Sequence, residues 1–417
     1  MYLGDLKHSS FNSTERTLHR GNLRDLRSAW QFDTDGPLAA GATIVDGVAY
    51  FGSWAGSFYA VDAQSGRQLW SAFVGISPAP DVSCSPALGV SSQAVVKGDT
   101  VYVGGGDSAV YALDRYSGEL RWRLQLADPD TGSYLWASLI ISGNALYVGI
   151  ASLGDCPLVR GALVRIELEH PEAPLFRFLA PEGELGAGIW STPAIDELNN
   201  RIYVTTGTGE QNPEEGLWGG AVLALDATSL EIQASFLLPT NSSDHDIEWG
   251  SSPTLFEDVN GTPLVAAAGK DGVLYALRAS DLSLVWQKTI GIWCGCPQCG
   301  CGSLSTPAFD GEVLYAAGGG TDPQDYYNGT VYALNPATGR TIWRTPVPGV
   351  VIAPLTIANN LVFAGTLTGL EILDAFEGTK LWSEPFPGTF YSQPVVSNGT
   401  IFCTYANGYF GAWRVPQ

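Results

Sequence analysis

Apolar and small residues alternate along this chain in short runs, and one such run returns eight times. It reads Ser57-Phe-Tyr-Ala-Val61, Ala109-Val-Tyr-Ala-Leu113, Gly161-Ala-Leu-Val-Arg165, Gly220-Ala-Val-Leu-Ala-Leu225, Gly272-Val-Leu-Tyr-Ala-Leu277, Gly329-Thr-Val-Tyr-Ala-Leu334, Gly369-Leu-Glu-Ile-Leu373 and Gly408-Tyr-Phe-Gly-Ala-Trp413. A period of two over five or six residues is the pattern of a strand. Successive copies begin 52, 52, 59, 52, 57, 40 and 39 residues apart. Repeats of that length, built from short strands, predict an all-β, eight-bladed β-propeller with one four-stranded antiparallel blade per repeat.

Each repeat follows one grammar. A first strand is expected to open with a small-residue-Pro signal: Ser85-Pro86-Ala87, Thr192-Pro193-Ala194, Ser252-Pro253-Thr254, Thr306-Pro307-Ala308, Ala353-Pro354-Leu355 and Gln393-Pro394-Val395. A second strand is read at Val48–Phe51, Val101–Val103, Ile202–Val204 and Val313–Tyr315, and the recurring phrase is the third. The fourth carries a Trp eight residues after a turn-forming Asp or Asn: Asp62 to Trp70, Asp114 to Trp122, Asn335 to Trp343 and Asp374 to Trp382. Gly66, Gly118, Gly339 and Gly378 fall midway, where a tight hairpin needs positive φ. That Trp is expected to pack between neighbouring blades. Ala234 replaces it in one repeat and Arg278 replaces the Asp in another, so decorated loops are expected in the third to fifth blades.

The phrase ending at Trp413 is followed by only four residues, too few for a fourth strand. Leu23–Trp30 looks like a fourth strand with no preceding repeat. The N-terminal segment, residues 1–32, is therefore expected to complete the last blade, residues 388–417, and to hide two strand edges. The whole chain, 1–417, is expected to be one propeller domain.

Charge narrows the partners. Twenty-one basic residues against 42 acidic ones give a net charge of −21, which excludes a phosphate-tracking nucleic-acid binder. No apolar run approaches the length that spans a bilayer. The N-terminus, Met1-Tyr-Leu-Gly-Asp5, has neither the basic flank nor the apolar core of a signal peptide. An acidic, soluble protein working outside the cytoplasm, in the periplasm or beyond the cell, is the expectation, with any export signal absent from this sequence. Five Asn-x-Ser/Thr triplets begin at Asn12, Asn241, Asn260, Asn328 and Asn398, and the Asn-Gly ones read as hairpin turns.

The repeat phrases Ala60-Val-Asp-Ala-Gln-Ser-Gly-Arg-Gln-Leu-Trp70 and Ala333-Leu-Asn-Pro-Ala-Thr-Gly-Arg-Thr-Ile-Trp343 resemble the fastening motif of the quinoprotein alcohol dehydrogenase superfamily. The opening His8-Ser-Ser-Phe-Asn-Ser-Thr14 and Asn22-Leu-Arg-Asp-Leu-Arg-Ser-Ala-Trp30 also look like the start of that family, and its polyvinyl-alcohol-dehydrogenase-like and generic PQQ-repeat branches look closest. The resemblance implies pyrroloquinoline quinone (PQQ) on a Trp floor, a Ca²⁺ or lanthanide ion beside it, and a carboxylate base for the alcohol proton. It places Trp190, in Gly186-Ala-Gly-Ile-Trp190-Ser-Thr-Pro193, at the floor and Lys270 at the cation facing the quinone oxygens. Arg160 and Trp249 stand beside these as further cofactor contacts. The metal ligands map less closely: Asp155 lies next to the family's Glu position, which Cys156 occupies, and Thr208 takes the Asn position. The base belongs to the run Asp244-His-Asp-Ile-Glu-Trp-Gly250, in which Gly250 fills the family's Asp slot and Asp246 or Glu248 remains to abstract the proton. Ser91-Ser92 stand near the place of the adjacent-cysteine disulfide found in many members.

The chain holds seven Cys, an odd number. Cys294, Cys296, Cys299 and Cys301 lie within eight residues, a spacing open to Zn²⁺ or Cu⁺ or to disulfides with one another or with Cys84, Cys156 and Cys403. No Cys-x-x-Cys-His is present, so covalent haem is not expected and electrons would pass to a separate cytochrome. Two functions follow as expectations. One is an exported PQQ-dependent dehydrogenase of a small alcohol, polyol or polymer, with a degenerate metal site. The other is a non-catalytic propeller that binds a component of the cell envelope, since the same blades serve as scaffolds.

Overall fold

The structure is a computed structural model that describes residues 2–78, 85–239, 246–293, 302–320, 328–386 and 389–416. It is an all-β, eight-bladed propeller of four-stranded antiparallel sheets. By its internal contacts the chain divides into two units of four blades each: residues 34–249, together with 1–2, and residues 250–417, together with 3–33.

The first unit holds blades 1 to 4. Their first strands are Thr43–Val45, Val95–Lys97, Ile140–Ser142 and Ala194–Asp196, and their third strands Ser57–Asp62, Ala109–Asp114, Ala162–Glu167 and Ala221–Asp226 carry the recurring phrase. Blade 2 corrects one reading. Its first strand does not open with Ser85-Pro86-Ala87 but starts at Val95, after Gln93-Ala94, just as Gln393-Pro394 precedes Val395 in blade 8. Extra strands appear where the repeat degenerates: Ser133–Tyr134 pairs in blade 3, and Gln211–Asn212 with Leu217–Trp218 forms a hairpin in blade 4.

The recurring Ala has a packing reason. In blades 1, 2, 5 and 6 the fourth-strand Trp lies across from it (Trp70 on Ala60, Trp122 on Ala112, Trp286 on Ala276, Trp343 on Ala333), and a bulge beside each Trp shifts the register by one residue. A small residue opposite leaves room for the indole to turn toward the next blade. Hydrophobic clusters therefore lie between sheets rather than within them: one joins blades 1 and 2 through Trp70, Tyr50, Val101 and Val103, and another joins blades 5 and 6 through Trp286, Leu264 and Leu314.

The second unit holds blades 5 to 8, whose first strands are Thr254–Glu257, Ala308–Phe309, Thr356–Ala358 and Val395–Ser397. In blade 6 the second strand starts at Leu314 rather than Val313. Blade 8 closes as the sequence predicts: Arg27–Asp33 is its fourth strand, antiparallel to Tyr409–Arg414, with Trp30 opposite Ala412. The residues before that strand form a strap along the free edges of the four first strands. Lys7 O accepts from Leu255 N, Ser9 O from Phe309 N and Ser10 O from Ile357 N, each at 2.8 Å, and Asn12 Nδ2 donates to Val396 O at 2.8 Å. The Glu15 carboxylate, 2% exposed, then accepts from the backbone of Thr17, Leu18 and Gly399.

Candidate active site in blades 3 and 4

In the first unit three loops meet at one end of blades 3 and 4. Residues 153–161 join the second and third strands of blade 3, residues 206–220 do the same in blade 4, and residues 186–190 lead into the first strand of blade 4. The last of these is threaded between the other two. Gly161 N donates to Gly186 O (2.9 Å), Ala187 N to Thr208 O (2.8 Å) and Gly207 N to Gly188 O (2.7 Å). The fit is close enough to demand glycine, since a Cβ on Gly161 would sit 2.0 Å from Ala187 O.

This threading brings together several residues that the sequence singled out. The Thr208 hydroxyl donates to Glu248 Oε2 at 2.7 Å, and Asp155 Oδ2 stands 3.4 Å from Thr208 Oγ1. Glu248 is 4% exposed, whereas Asp155 is on the surface. Gly207 separates Glu248 from Trp190: a Cβ there would lie 2.9 Å from Glu248 Oε2 and 3.2 Å from the Trp190 Cδ1. Trp190 itself is half-buried. Two carboxylates thus meet one hydroxyl beside an indole.

The other candidates have different surroundings. Trp249 is 1% exposed; its Nε1 donates to Gly220 O at 2.9 Å and its ring lies 6.2 Å from that of Phe236, so it anchors the end of the acidic run in the core. The Arg160 guanidinium lies 4.0 Å above the Phe178 ring, with Nε donating to Ala180 O. Asp246 is half-buried with φ 61°, a left-handed conformation that Asp tolerates better than most residues. Lys270 belongs to the second unit, between Pro263–Ala268 and Val273–Arg278 of blade 5. It is 8% exposed, a buried lysine. Beside it, burial pushes the Asp271 carboxyl up from its ordinary range while Asp271 Oδ2 accepts from the Tyr275 hydroxyl at 2.8 Å.

Cys294, Cys296, Cys299 and Cys301 lie outside the described residues, as do Cys84, Asp244 and His245. Cys156 is disulfide-bonded, and Cys403 is a buried free thiol. Among the described residues no group of three or more His, Cys, Asp or Glu is placed to hold a metal ion, so the candidate site depends on the Thr208 hydroxyl as well as its two carboxylates.

One network escaped the sequence reading. Ser91 Oγ receives the Trp54 Nε1 hydrogen (2.9 Å) and lies 2.8 Å from the Tyr134 hydroxyl, and Trp136 packs edge-on against Tyr134 at 4.8 Å. Trp54, Ser91 and Trp136 occupy irregular segments between strands and Tyr134 a two-residue strand, and no repeat phrase marks any of them.

A family model described as "Outer membrane protein assembly factor BamB", the PQQ_2 repeat, matches residues 11–153 and 327–415, more than half of the chain. A polyvinylalcohol dehydrogenase of a Pseudomonas species is 24% identical over 402 residues, covering 82% of this chain and 60% of that protein. The quinohemoprotein alcohol dehydrogenase ADH IIB of Pseudomonas putida is 26% identical over 317 residues, covering 66% of this chain and 45% of that protein. The chain thus spans only about half the length of these curated relatives. Among solved structures, a europium-containing methanol dehydrogenase superposes with a TM-score of 0.84 at 15% identity over 99% of this chain and 97% of that one, a likeness of fold. No helix among the described residues is long and apolar enough to cross a membrane. On the span of the repeat match and the eight blades that carry it, the chain belongs to the PQQ-repeat family of β-propellers.

Proposed function

We propose that this chain is an exported PQQ-dependent dehydrogenase of alcohols or polyols, centred on the blade 3 and blade 4 site. The observation that carries the proposal is the convergence of Glu248 and Asp155 on the Thr208 hydroxyl oxygen, with Trp190 across Gly207. The donor set fits a Ca²⁺ or lanthanide ion: Asp155 and Glu248 supply charge, and Thr208 a neutral oxygen. When bound, PQQ with its metal ion supplies a two-electron acceptor for the carbinol hydrogen.

Everything else falls to side chains of the chain itself. Glu248 serves as the base that takes the substrate hydroxyl proton, its Oε2 held by Thr208. Trp190 offers a flat apolar face for a planar ring. Asp246, two residues before Glu248 in the same run, is the alternative base. Trp249 and Arg160 hold the frame through Gly220 and Phe178. For Lys270 the role proposed is separate: a buried ammonium contacting an anionic cofactor, tested on its own by Lys270→Met. The named activities of the relatives support this reading. Electron transfer to a separate cytochrome and a periplasmic or extracellular location belong to the same proposal.

The test is to add PQQ with Ca²⁺ or La³⁺ to the purified protein and follow a visible absorption band, then dye reduction with primary alcohols. Binding with turnover supports the proposal. No binding at high micromolar PQQ overturns it and leaves the reading of a non-catalytic scaffold, in keeping with a family model described as an outer membrane protein assembly factor.

A further inference from the structure

In the first unit the segments that lead into blades 2, 3 and 4 run side by side and in register. Gln93 N donates to Ser138 Oγ at 2.9 Å, and Ser138 N to Thr192 Oγ1 at 3.0 Å. Two residues before these stand Ser91, Trp136 and Trp190, each four residues ahead of a first strand, at Val95, Ile140 and Ala194. The three therefore share one position of the repeat, and Trp190 stands there with only Gly207 between it and Glu248. Trp54 joins the row from blade 1, in the loop between the second and third strands, by donating its Nε1 hydrogen to Ser91 Oγ at 2.9 Å.

The residues around these indoles are core. Leu135, Ala137, Leu139 and Ile189 are fully buried, yet Trp136 and Trp190, larger than any of them, keep part of their surface in solvent, as does Trp54. A large apolar side chain left partly open in a buried segment marks a contact surface, and aromatic walls with a few polar groups are the make-up of small-molecule sites. Trp54 and Trp136 have no N–H to spare for a ligand, since Ser91 Oγ takes one and Ser152 O the other at 2.9 Å. They offer ring carbon. Buried Tyr134 sets both: it packs edge-on against Trp136 at 4.8 Å, and its hydroxyl lies 2.8 Å from Ser91 Oγ. The strand end that holds Trp136 also supports the segment that carries Trp190, since a Cβ on Gly188 would lie 3.0 Å from Ala151 Cα and 3.5 Å from Ser152 N.

We propose, resting on the dehydrogenase reading above, that Trp136 and Trp54 are specificity-determining residues and that the substrate class is a primary alcohol with a hydrocarbon tail. The carbinol lies at the Glu248 and Trp190 end, and the tail runs along Trp136 toward Trp54. A polyol would set its further hydroxyls against ring carbon, where they lose water without gaining a partner.

The test compares ethanol, 1-butanol, 1-hexanol and 1,2,6-hexanetriol as substrates of the protein loaded with PQQ and Ca²⁺. From ethanol to 1-hexanol kcat/KM is expected to rise roughly two- to fourfold per methylene, with the triol at least tenfold below 1-hexanol. Trp136→Ala is expected to cut the rise to below about 1.5-fold per methylene, a change of slope that general damage to the fold would not produce. Trp136→Gln keeps a donor for Ser152 O while removing the ring, and repeats the test should the alanine variant fold poorly. Trp54→Ala is expected to flatten only the longer members. A flat series in the parent, or an unchanged slope in folded variants of both tryptophans, overturns the assignment while turnover itself upholds the dehydrogenase reading. Should PQQ fail to bind, that reading falls and the row is tested alone, by titrating 1-hexanol into the protein and following tryptophan emission. A saturable change that Trp136→Gln abolishes supports the row as an apolar-tail site, and no change up to the solubility limit of 1-hexanol overturns it.

Discussion

Gly118 lies directly under the indole of Trp70, so that a Cβ on it would be 2.6 Å from Trp70 Cε3. The same indole donates its Nε1 hydrogen to Arg115 O, three residues before that glycine, at 3.0 Å. The relation recurs between Trp286 and Gly339 and between Trp343 and Gly378, with Nε1 bonds to Pro336 O and Ala375 O. Where the preceding blade offers no Trp, the glycine is dispensable: blade 4, following the Trp-free strand Leu175–Phe178, has Leu230 at that turn with φ 58°. Glycine at these turns therefore answers two demands, a φ of 75° at Gly118 and an aromatic ring overhead.

Gly118→Ala is expected to destabilise the protein by about 2–4 kcal/mol, combining the left-handed backbone penalty with overpacking against Trp70. The midpoint of urea unfolding measures it. A loss below about 1 kcal/mol would mean that the indole moves aside freely and is no fastener.

Closure at blade 8 predicts a larger effect. Residues 1–32 cover the free edge of Tyr409–Arg414 and the outward groups of four first strands. A chain lacking them exposes all of these edges at once and is expected to melt more than about 10 °C lower or to aggregate, since unpaired edges recruit other chains. Thermal unfolding of the truncated chain, compared with one shortened only by residues 1–2, decides the matter.

The blades were legible because each depends on neighbours in sequence. The Ala of the third strand, the Asp or Asn of the turn and the Trp of the fourth strand all lie within about a dozen residues, and their spacing is fixed by hairpin geometry. The first strand of blade 2 was misplaced because Ser85-Pro86 imitates the signal that Gln93-Ala94 carries without a proline. The strap escaped notice because its bonds run through carbonyls of Lys7, Ser9 and Ser10, and backbone carbonyls leave no trace in residue type. At the site, Glu248 and Asp246 were indistinguishable as carboxylates in one short run. Only the threading of residues 186–190 between two loops shows that Glu248 is the one held by Thr208.

His8 makes stability depend on acidity. It is fully buried with φ 60°, and Nδ1 donates to Pro253 O at 2.8 Å. Burial lowers its pKa from 6.5 to about 4, with the Pro253 carbonyl and the Asp5 charge opposing. The folded state thus holds His8 neutral where the unfolded chain would protonate it. Stability from this group is complete above pH 6.5 and declines as pH falls toward 4, by about 3 kcal/mol in all. His8→Asn, which tolerates positive φ, is expected to flatten that slope in chemical unfolding measured between pH 4 and 7. An unchanged slope would assign the acid sensitivity to other groups.

Thr208 offers the sharpest test of the site because its hydroxyl is a small, removable group between two carboxylates. Thr208→Val keeps the shape of the side chain but leaves Glu248 Oε2 without its 2.7 Å donor and takes one neutral oxygen away from the cation. Losing a group that orients a ligand costs about 10–100-fold in metal affinity. The variant is therefore expected to need at least tenfold more Ca²⁺ or La³⁺ to reach half-maximal PQQ absorbance, with its urea midpoint close to that of the parent. Thr208→Ser restores the donor and is expected to recover most of the loss. A valine variant with undiminished metal demand would separate Thr208 from the cation and leave it a strut between loops.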